Sequence, residues 1–66
     1  MKNSLKVERA IKNITQQQLS EIIGVSRQTI NAIELGKYVP STILALKVAN
    51  YFGKNVNEIF QLEEND

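Results

Sequence analysis

The sequence predicts an all-α domain of five short helices, and three features support this prediction. The 19 Ile, Leu and Val residues form almost no strictly alternating run of the kind that marks a β-strand. Side chains that commonly cap helix N-termini precede the apolar runs. Gly and Pro occur at only four positions, all between those runs. We expect one domain over residues 1–66, with residues 61–66 as a frayed tail or a short extended segment.

The first predicted helix covers about residues 5–12, with Asn3 or Ser4 as its N-cap. Its apolar residues recur at the spacing of a buried helical stripe, which comprises Val7, Ala10, Ile11 and Ile14. We therefore expect this stripe to pack the helix against the rest of the domain.

The second predicted helix has the clearest local pattern in the chain. Thr15 and Gln18 have the spacing of a capping box, in which each side chain accepts a hydrogen bond from the other residue's backbone N–H. Gly24 ends the helix, because glycine adopts the left-handed conformation without a steric penalty. The predicted apolar face is formed by Leu19, Ile22 and Ile23.

The third predicted helix starts almost at once, with Ser26 as its N-cap, and runs to about Leu35 before Gly36. Its predicted core side consists of Ile30 and Ile33, joined from the turn by Val25. A separate polar face is formed by Arg27, Gln28 and Asn31, which lie three or four residues apart.

The last two predicted helices follow Pro40 and Gly53. Proline pushes the preceding residue out of helical geometry, and Ser41 or Thr42 can cap the helix that follows. The predicted core side of that fourth helix is Leu44, Ala45, Val48, Ala49 and Phe52. A short fifth helix is capped by Asn55, with Glu58 three residues later, and its apolar face is Val56, Ile59 and Phe60.

The composition excludes several functional classes. The chain has no Cys and no His, which excludes zinc fingers, cysteine nucleophiles and Ser-His-Asp triads. We therefore expect a protein that is not an enzyme and that uses no metal, cofactor or evident small-molecule ligand. No apolar run approaches the ~20 residues of a membrane span, and the start lacks a signal-peptide core. These features favour a cytoplasmic location without a membrane partner.

Charge is unevenly distributed along the chain. Residues 1–54 hold all eight basic residues against three acidic ones, a net charge of +5, whereas residues 55–66 carry −4. A basic body favours a polyanionic partner, although small domains also show such asymmetry by chance.

The second and third helices are joined only by the short segment around Gly24, so they must cross at a steep angle. Their apolar residues would meet in one core, which leaves the outer face of the third helix polar and free to enter a DNA major groove. Residues 16–34 resemble the helix-turn-helix of the Cro/C1-type (XRE-type) bacterial and phage repressors. Residues 34–41, 44–49 and 56–60 resemble the loop, fourth helix and fifth helix of that family.

The resemblance covers about residues 3–60, and it implies a lambda-repressor-like fold whose helix-turn-helix is formed by the second and third helices. The chain is most similar to the minimal, stand-alone members, including the cytolysin-repressor type. It departs from the family at two positions. Ser20 stands where the family usually has Ala, and Glu8 stands where many members have an apolar residue. The first helix would then pack through Val7, or Glu8 would contact a basic neighbour.

The resemblance assigns base reading to the polar face of the third helix. Arg27 can bind guanine O6 and N7, whereas Gln28 and Asn31 can each bind adenine N6 and N7. The alternatives are a solvated helix face and, for Arg27, a contact to a phosphate.

Other residues are predicted to contact DNA phosphates and fix the register. Gln16 resembles the family Gln that contacts a backbone phosphate, and a helix N-terminus attracts anions. The full set of phosphate candidates is Gln16, Gln17, Ser26, Thr29, Lys37, Tyr38, Ser41 and Thr42. Tyr38 is equally compatible with a half-buried ring packed on its loop. Arg9 and Glu34 resemble a family ion pair with a structural role.

Repressors of this type generally bind as two-fold dimers, so we expect a homodimer on double-stranded DNA. The apolar residues available for its interface are Ile43, Leu46, Tyr51 and Leu62. The tail would pair with its symmetry mate or with residues 1–4. The predicted function is a transcriptional repressor that occludes a palindromic operator. The alternative is an antitoxin or adaptor of the same fold whose main partner is a protein.

Overall fold

The computed structural model describes residues 1–66 and contains five α-helices and one small antiparallel sheet. The helices are α1 (Leu5–Lys12), α2 (Gln16–Ile23), α3 (Arg27–Glu34), α4 (Thr42–Phe52) and α5 (Val56–Ile59). The strands are β1 (Lys2–Asn3) and β2 (Phe60–Gln61). The all-α fold with five helices and a short C-terminal extended segment is therefore confirmed.

The caps that start the helices follow the local sequence. Thr15 Oγ1 accepts the N–H of Gln18 at 3.0 Å, and Gln18 Oε1 accepts the N–H of Thr15 at 2.8 Å. This completes the predicted capping box of α2. Ser26 and Ser41 cap α3 and α4 with one bond each, because their side chains accept the N–H groups of Thr29 and Leu44. At α1, by contrast, the Asn3 side chain accepts the N–H of Leu5 at 3.1 Å, and Ser4 caps without a side-chain bond.

One apolar core joins all five helices and the second strand. Its buried members are Leu5, Leu19, Ile23, Ile30, Ile33, Leu44, Val48, Ala49, Phe52, Ile59 and Phe60. Met1, Ile14, Val25, Ala45 and Tyr51 pack against its edge. The predicted core sides of α3 and α4 are thus correct, although Ala45 is only partly buried.

Of the predicted buried stripe of the first helix, only Ile14 packs against the core, and the prediction is wrong for the other three residues. Val7 is 57% exposed and Ile11 is 70% exposed, and Ala10 also faces outward. The helix instead buries Leu5 and Glu8, and the Glu8 carboxylate accepts a hydrogen bond from Lys54 Nζ at 2.8 Å. Of the two sequence alternatives, the contact between Glu8 and a basic neighbour is the one that forms. The side of α1 that faces the domain therefore carries Leu5 and Glu8, and Val7 and Ile11 lie on the solvent side.

Two further apolar residues are more exposed than predicted. Ile22 lies on the outer side of α2, because Leu19, Ser20 and Ile23 take the positions that face the core. Val56 borders an open groove beside Phe60 instead of entering the core.

The chain ends meet in the two-stranded sheet. Lys2 pairs with Gln61 and Asn3 pairs with Phe60. The N–H of Ser4 extends the pairing by donating to the carbonyl of Ile59 at 2.9 Å. The tail therefore pairs with the start of its own chain, one of the two partners expected for it. Asn3 Nδ2 also donates to the carbonyl of Ile33 at 2.8 Å, so the paired chain ends contact the end of α3.

Replacing Glu8 with Leu should leave stability unchanged or raise it, because a buried apolar residue needs no ion partner. Replacing Lys54 with Met should lower stability, because it leaves the buried Glu8 carboxylate unpaired. The midpoint of thermal unfolding, followed by circular dichroism at neutral pH, measures both effects. If the two variants lose stability equally, the ion pair does not determine how α1 packs.

The stabilisation from this pair should also depend on pH. The hydrogen bond to Glu8 raises the pKa of Lys54 above its ordinary value of 10.5. The favourable contribution is therefore complete below pH 10.5 and is lost as the pH rises through the higher folded-state pKa. Chemical unfolding of the wild type and of the Glu8→Leu variant across this alkaline range should show a steeper loss in the wild type. Equal losses would contradict this expectation.

Candidate nucleic-acid interface

The crossing of α2 and α3 is tight and fully hydrogen-bonded. Ser20 is 2% exposed, and its Oγ donates to the carbonyl of Gln17 at 2.7 Å. Its own carbonyl accepts the N–H groups of Gly24 at 2.8 Å and Val25 at 3.0 Å. Gly24 has a φ of +88°, a backbone conformation that residues with a Cβ rarely adopt. Ser20 therefore replaces the family's usual Ala without leaving a buried polar group unpaired.

The outer face of α3 presents polar side chains to solvent. Arg27 and Gln28 are exposed at the N-terminal end of the helix, and neither side chain bonds to the rest of the chain. Asn31 lies one turn further along and is half-buried, because its Oδ1 accepts a hydrogen bond from Gln16 Nε2 at 3.1 Å. The three predicted base-reading residues thus lie on one helix, but only two have free side chains.

A buried ion pair ties α1 to the end of α3. Arg9 Nε lies 2.6 Å from Glu34 Oε2, and Arg9 Nη2 lies 3.0 Å from Glu34 Oε1, so the contact is bidentate. These hydrogen bonds raise the pKa of Arg9. Arg9 Nη1 also donates to the carbonyl of Ile14 at 3.0 Å. The guanidinium therefore connects three parts of the chain that surround the N-terminus of α2.

The N-terminus of α2 opens onto a surface cleft of about 500 Å³. Of its first backbone N–H groups, that of Gln18 is used by the capping box, whereas those of Gln16 and Gln17 have no acceptor in the chain. Arg9 and Arg27 line the same cleft. Free N–H groups, a helix dipole and the unpaired guanidinium of Arg27 make it a suitable seat for an anion.

The other phosphate candidates flank α3 on its second side. The hydroxyls of Ser26 and Thr29 bond to each other at 3.0 Å. Thr29, Tyr38 and Ser41 line a common cleft at the other end of the interface. Lys37 and Thr42 are exposed in the loop and at the start of α4, and the Tyr38 ring is half exposed.

Sequence reasoning missed Lys47, which lines the same cleft as Thr29 and Tyr38. The only feature of the sequence that could have placed Lys47 at this cleft is its position on the fourth helix, three residues after Leu44 and one turn from Ile43. Because the cleft arises where α4 meets the turn between α2 and α3, it could not be read from the pattern of α4 alone.

The residues expected at a dimer interface do not form one group. Leu46 and Leu62 line an apolar groove of about 310 Å³ between α4, α5 and the chain ends. Ile43 lies beside Leu46 on a neighbouring surface. Tyr51 is half-buried: its ring packs edge-on against Phe52 at 4.9 Å, and Lys12 Nζ lies 4.9 Å above it. Tyr51 therefore already has partners within the chain.

The tight crossing, the free polar face of α3 and the anion seat at α2 define a helix-turn-helix DNA-binding domain. A comparison with protein families agrees, because residues 5–59 match the family described as Helix-turn-helix. The chain belongs to this family, as a Cro/C1-type (XRE-type) regulator. Proteins of this family regulate transcription and are not enzymes.

Relatives from archaea and bacteria share this sequence over nearly its whole length. The chain is 53% identical over 66 residues to an HTH-type transcriptional regulator of Methanocaldococcus jannaschii, and the match covers all of both chains. It is 48% identical to the HTH-type transcriptional regulator YgzD of Bacillus subtilis, over 97% of each chain. A third regulator, from Archaeoglobus fulgidus, is 41% identical over the whole chain and 93% of the relative.

Two structural observations bear on other ligands. No helix combines the length and apolar character needed to cross a membrane. No group of three or more Asp and Glu side chains converges in a way that would hold a metal ion.

Replacing Arg9 with Met should lower the free energy of unfolding by about 3–5 kcal/mol, because the Glu34 carboxylate is left buried and unpaired. Chemical unfolding followed by circular dichroism measures this loss. Lys6→Met is the matched control, since Lys6 is an exposed cation on the same helix without an ion partner. The control should change stability by less than about 0.5 kcal/mol. Equal effects of the two substitutions would show that the ion pair does not stabilise the fold.

Proposed function

We propose that this protein is a transcriptional repressor that binds a palindromic operator as a homodimer, with α3 in the major groove. The observation that carries the proposal is the exposed polar face of α3 beside the unpaired N–H groups at the start of α2. In this arrangement one surface reads bases while the adjacent helix end holds a phosphate. Repression follows from occlusion, because a dimer on the operator denies the site to polymerase. The protein would work in the cytoplasm, where the DNA lies.

Arg27 and Gln28 are the principal base readers in this proposal. Both side chains are exposed at the N-terminal end of α3, the end that enters the groove in helix-turn-helix proteins. The Arg27 guanidinium matches guanine O6 and N7, and the Gln28 amide matches adenine N6 and N7. Asn31 reads a third position one turn along the helix.

Phosphate contacts flank this reading surface on both sides. On one side the backbone N–H groups of Gln16 and Gln17 meet one strand, near Arg27. On the other side we place Thr29, Tyr38 and Ser41, which line the second cleft, together with the exposed residues Ser26, Lys37 and Thr42. Such contacts position the protein without reading sequence and make affinity fall as salt rises.

The homodimer would form through the groove between α4 and α5. Leu46 is 55% exposed and Leu62 is 79% exposed, and Val39 and Val56 continue the same apolar surface. Burial of these residues against a second copy would stabilise a two-fold pair. It would set two α3 helices about 34 Å apart, one turn of DNA.

The same groove favours a second candidate function. An antitoxin or adaptor of this fold would use the apolar surface of α4 and α5 to hold a different protein. In that case the exposed face of α3 would contribute little to activity.

Selection from a randomised duplex pool should enrich a palindrome. Replacing Gln28 with Ala should weaken binding to this palindrome at least about 30-fold, because the homodimer loses one two-bond base contact in each of its two half-sites. Affinity is measured by fluorescence anisotropy at two salt concentrations. The logarithm of the association constant should fall with the logarithm of the salt concentration, with a slope of about −0.9 per phosphate contact.

The matched control is Asn65→Ala, which also removes an exposed side-chain amide, one that bonds to nothing in the chain and lies in the C-terminal tail. It should keep the affinity and sequence preference of the wild type. Absence of an enriched palindrome would contradict the repressor proposal and favour the protein-binding alternative. Equal losses for Gln28→Ala and Asn65→Ala would remove Gln28 from the base-reading set.

Replacing Leu46 with Asp should weaken self-association at least about tenfold, because it places a charge at the centre of an apolar interface. Sedimentation equilibrium over a range of concentrations measures this change. Ile11→Asp is the control, since Ile11 is equally apolar and exposed but lies on α1. A wild-type chain that stays monomeric at all concentrations, or equal effects of the two variants, would contradict a dimer through this groove.

A further inference from the structure

The residue that follows α1 has a backbone held in place by its neighbours and a side chain that the fold does not use. Asn13 has a φ of +56°, the only positive φ in the chain outside glycine. Its N–H donates to the carbonyl of Ala10 at 3.1 Å, and the N–H of Ile14 donates to that of Arg9 at 3.1 Å. Arg9 Nη1 in turn donates to the carbonyl of Ile14 at 3.0 Å. The backbone around Asn13 is therefore fixed on both sides.

The left-handed conformation limits which residues can stand at position 13, but it does not require an amide. Glycine adopts this conformation without a steric cost, and the chain has glycine at its other three positive-φ positions. The Asn13 side chain is exposed and bonds to no group of the chain. The fold therefore gains no hydrogen bond from this amide, which is free to bind a group outside the chain.

Asn13 lines the cleft of about 500 Å³ described above, where its amide joins other free donors. These donors are the N–H groups of Gln16 and Gln17 from α2 and the guanidinium of Arg27 from α3. No acidic side chain lines the cleft. Amide nitrogens, guanidinium groups and backbone N–H groups all donate to phosphate oxygens in protein–DNA contacts. The cleft thus offers donors from the end of α1 as well as from α2 and α3.

We infer that Asn13 is a further DNA-binding residue, whose Nδ2 donates to a backbone phosphate at the outer end of each half-site. This inference rests on the proposed function, in which the start of α2 meets one strand beside the bases that α3 reads. The proposed dimer groove shares no residue with the cleft, and none of its residues lies on α1, α2 or α3. We therefore place the cleft at the end of the half-site that is far from the two-fold axis.

The chemistry of position 13 allows a test in which the backbone stays the same and the group offered to the phosphate changes. Glycine keeps the left-handed conformation and offers no side chain. Aspartate also tolerates this conformation, but its carboxylate only accepts hydrogen bonds and has the same sign of charge as the phosphate. A phosphate contact carries no sequence information, so these changes should alter affinity without altering base preference.

The first test compares the wild type, Asn13→Gly and Asn13→Asp on the selected operator by fluorescence anisotropy. Asn13→Gly should lower affinity at least about fivefold, because each of the two half-sites loses one hydrogen bond. Asn13→Asp should lower it at least about tenfold further at low salt, because repulsion adds to the lost bond. All three proteins should prefer the same bases. An unchanged or higher midpoint of thermal unfolding in Asn13→Gly would separate the loss of affinity from a folding defect.

Asn65→Asp is the matched control, because it makes the same chemical change at an exposed amide in the C-terminal tail. It should lower affinity less than about twofold, because salt screens a charge that lies away from the DNA. If Asn13→Gly binds as the wild type does and Asn13→Asp matches Asn65→Asp, the inference is overturned.

The second test locates the phosphate with operators in which one linkage at a time is a methylphosphonate, which carries no charge. At one linkage in each half-site, outside the base pairs that Arg27 and Gln28 read, this change should reduce the ratio of wild-type to Asn13→Asp affinity at least about fivefold. The ratio should stay within about twofold at linkages more than one nucleotide away. A ratio that stays constant at every linkage, or changes only within the base pairs that α3 reads, would overturn the inference.

These outcomes separate the inference from the proposed function. An enriched palindrome that the wild type and Asn13→Gly bind equally overturns the role of Asn13 and leaves the repressor proposal standing. The absence of any enriched palindrome overturns both.

Discussion

The structure depends on the close crossing of α2 and α3 at Ser20 and Gly24. The buried carbonyl of Ser20 accepts two N–H groups across the turn, and Gly24 takes the left-handed conformation that reverses the chain. The crossing directs Ile30 and Ile33 into the core and leaves Arg27 and Gln28 exposed on the other face of α3. A larger residue at position 20 would separate the helices and misplace the reading face relative to the anion seat on α2.

Polar interactions then hold this crossing in place from outside the core. The ion pair between Arg9 and Glu34 ties α1 to the end of α3, and Gln16 joins the same carboxylate from α2. Gln16 also bonds to the Asn31 amide on the polar face of α3. One polar network therefore joins α1, α2 and this face of α3.

Local sequence predicted most of the fold, whereas contacts between distant residues determined what it missed. The helix bounds, the capping box of Thr15 and the turn at Gly24 depend on neighbouring residues, and all were predictable. The exposure of Val7 and Ile11 was not predictable from local sequence. It depends on the pairing of buried Glu8 with Lys54, which lies 46 residues away in the sequence. At the candidate site, α3 and its polar residues were predictable from spacing. The partner of the Asn31 amide was not, because it lies 15 residues away on another helix.

The most direct test of α3 as the reading element is a crystal structure of the protein with its selected operator. The expected result places the N-terminal end of α3 in the major groove, with the Gln28 amide against a base edge. A phosphate would lie at the N–H groups of Gln16 and Gln17. A complex in which α3 faces solvent, with the DNA held by another surface, would contradict the assignment of α3 as the recognition helix.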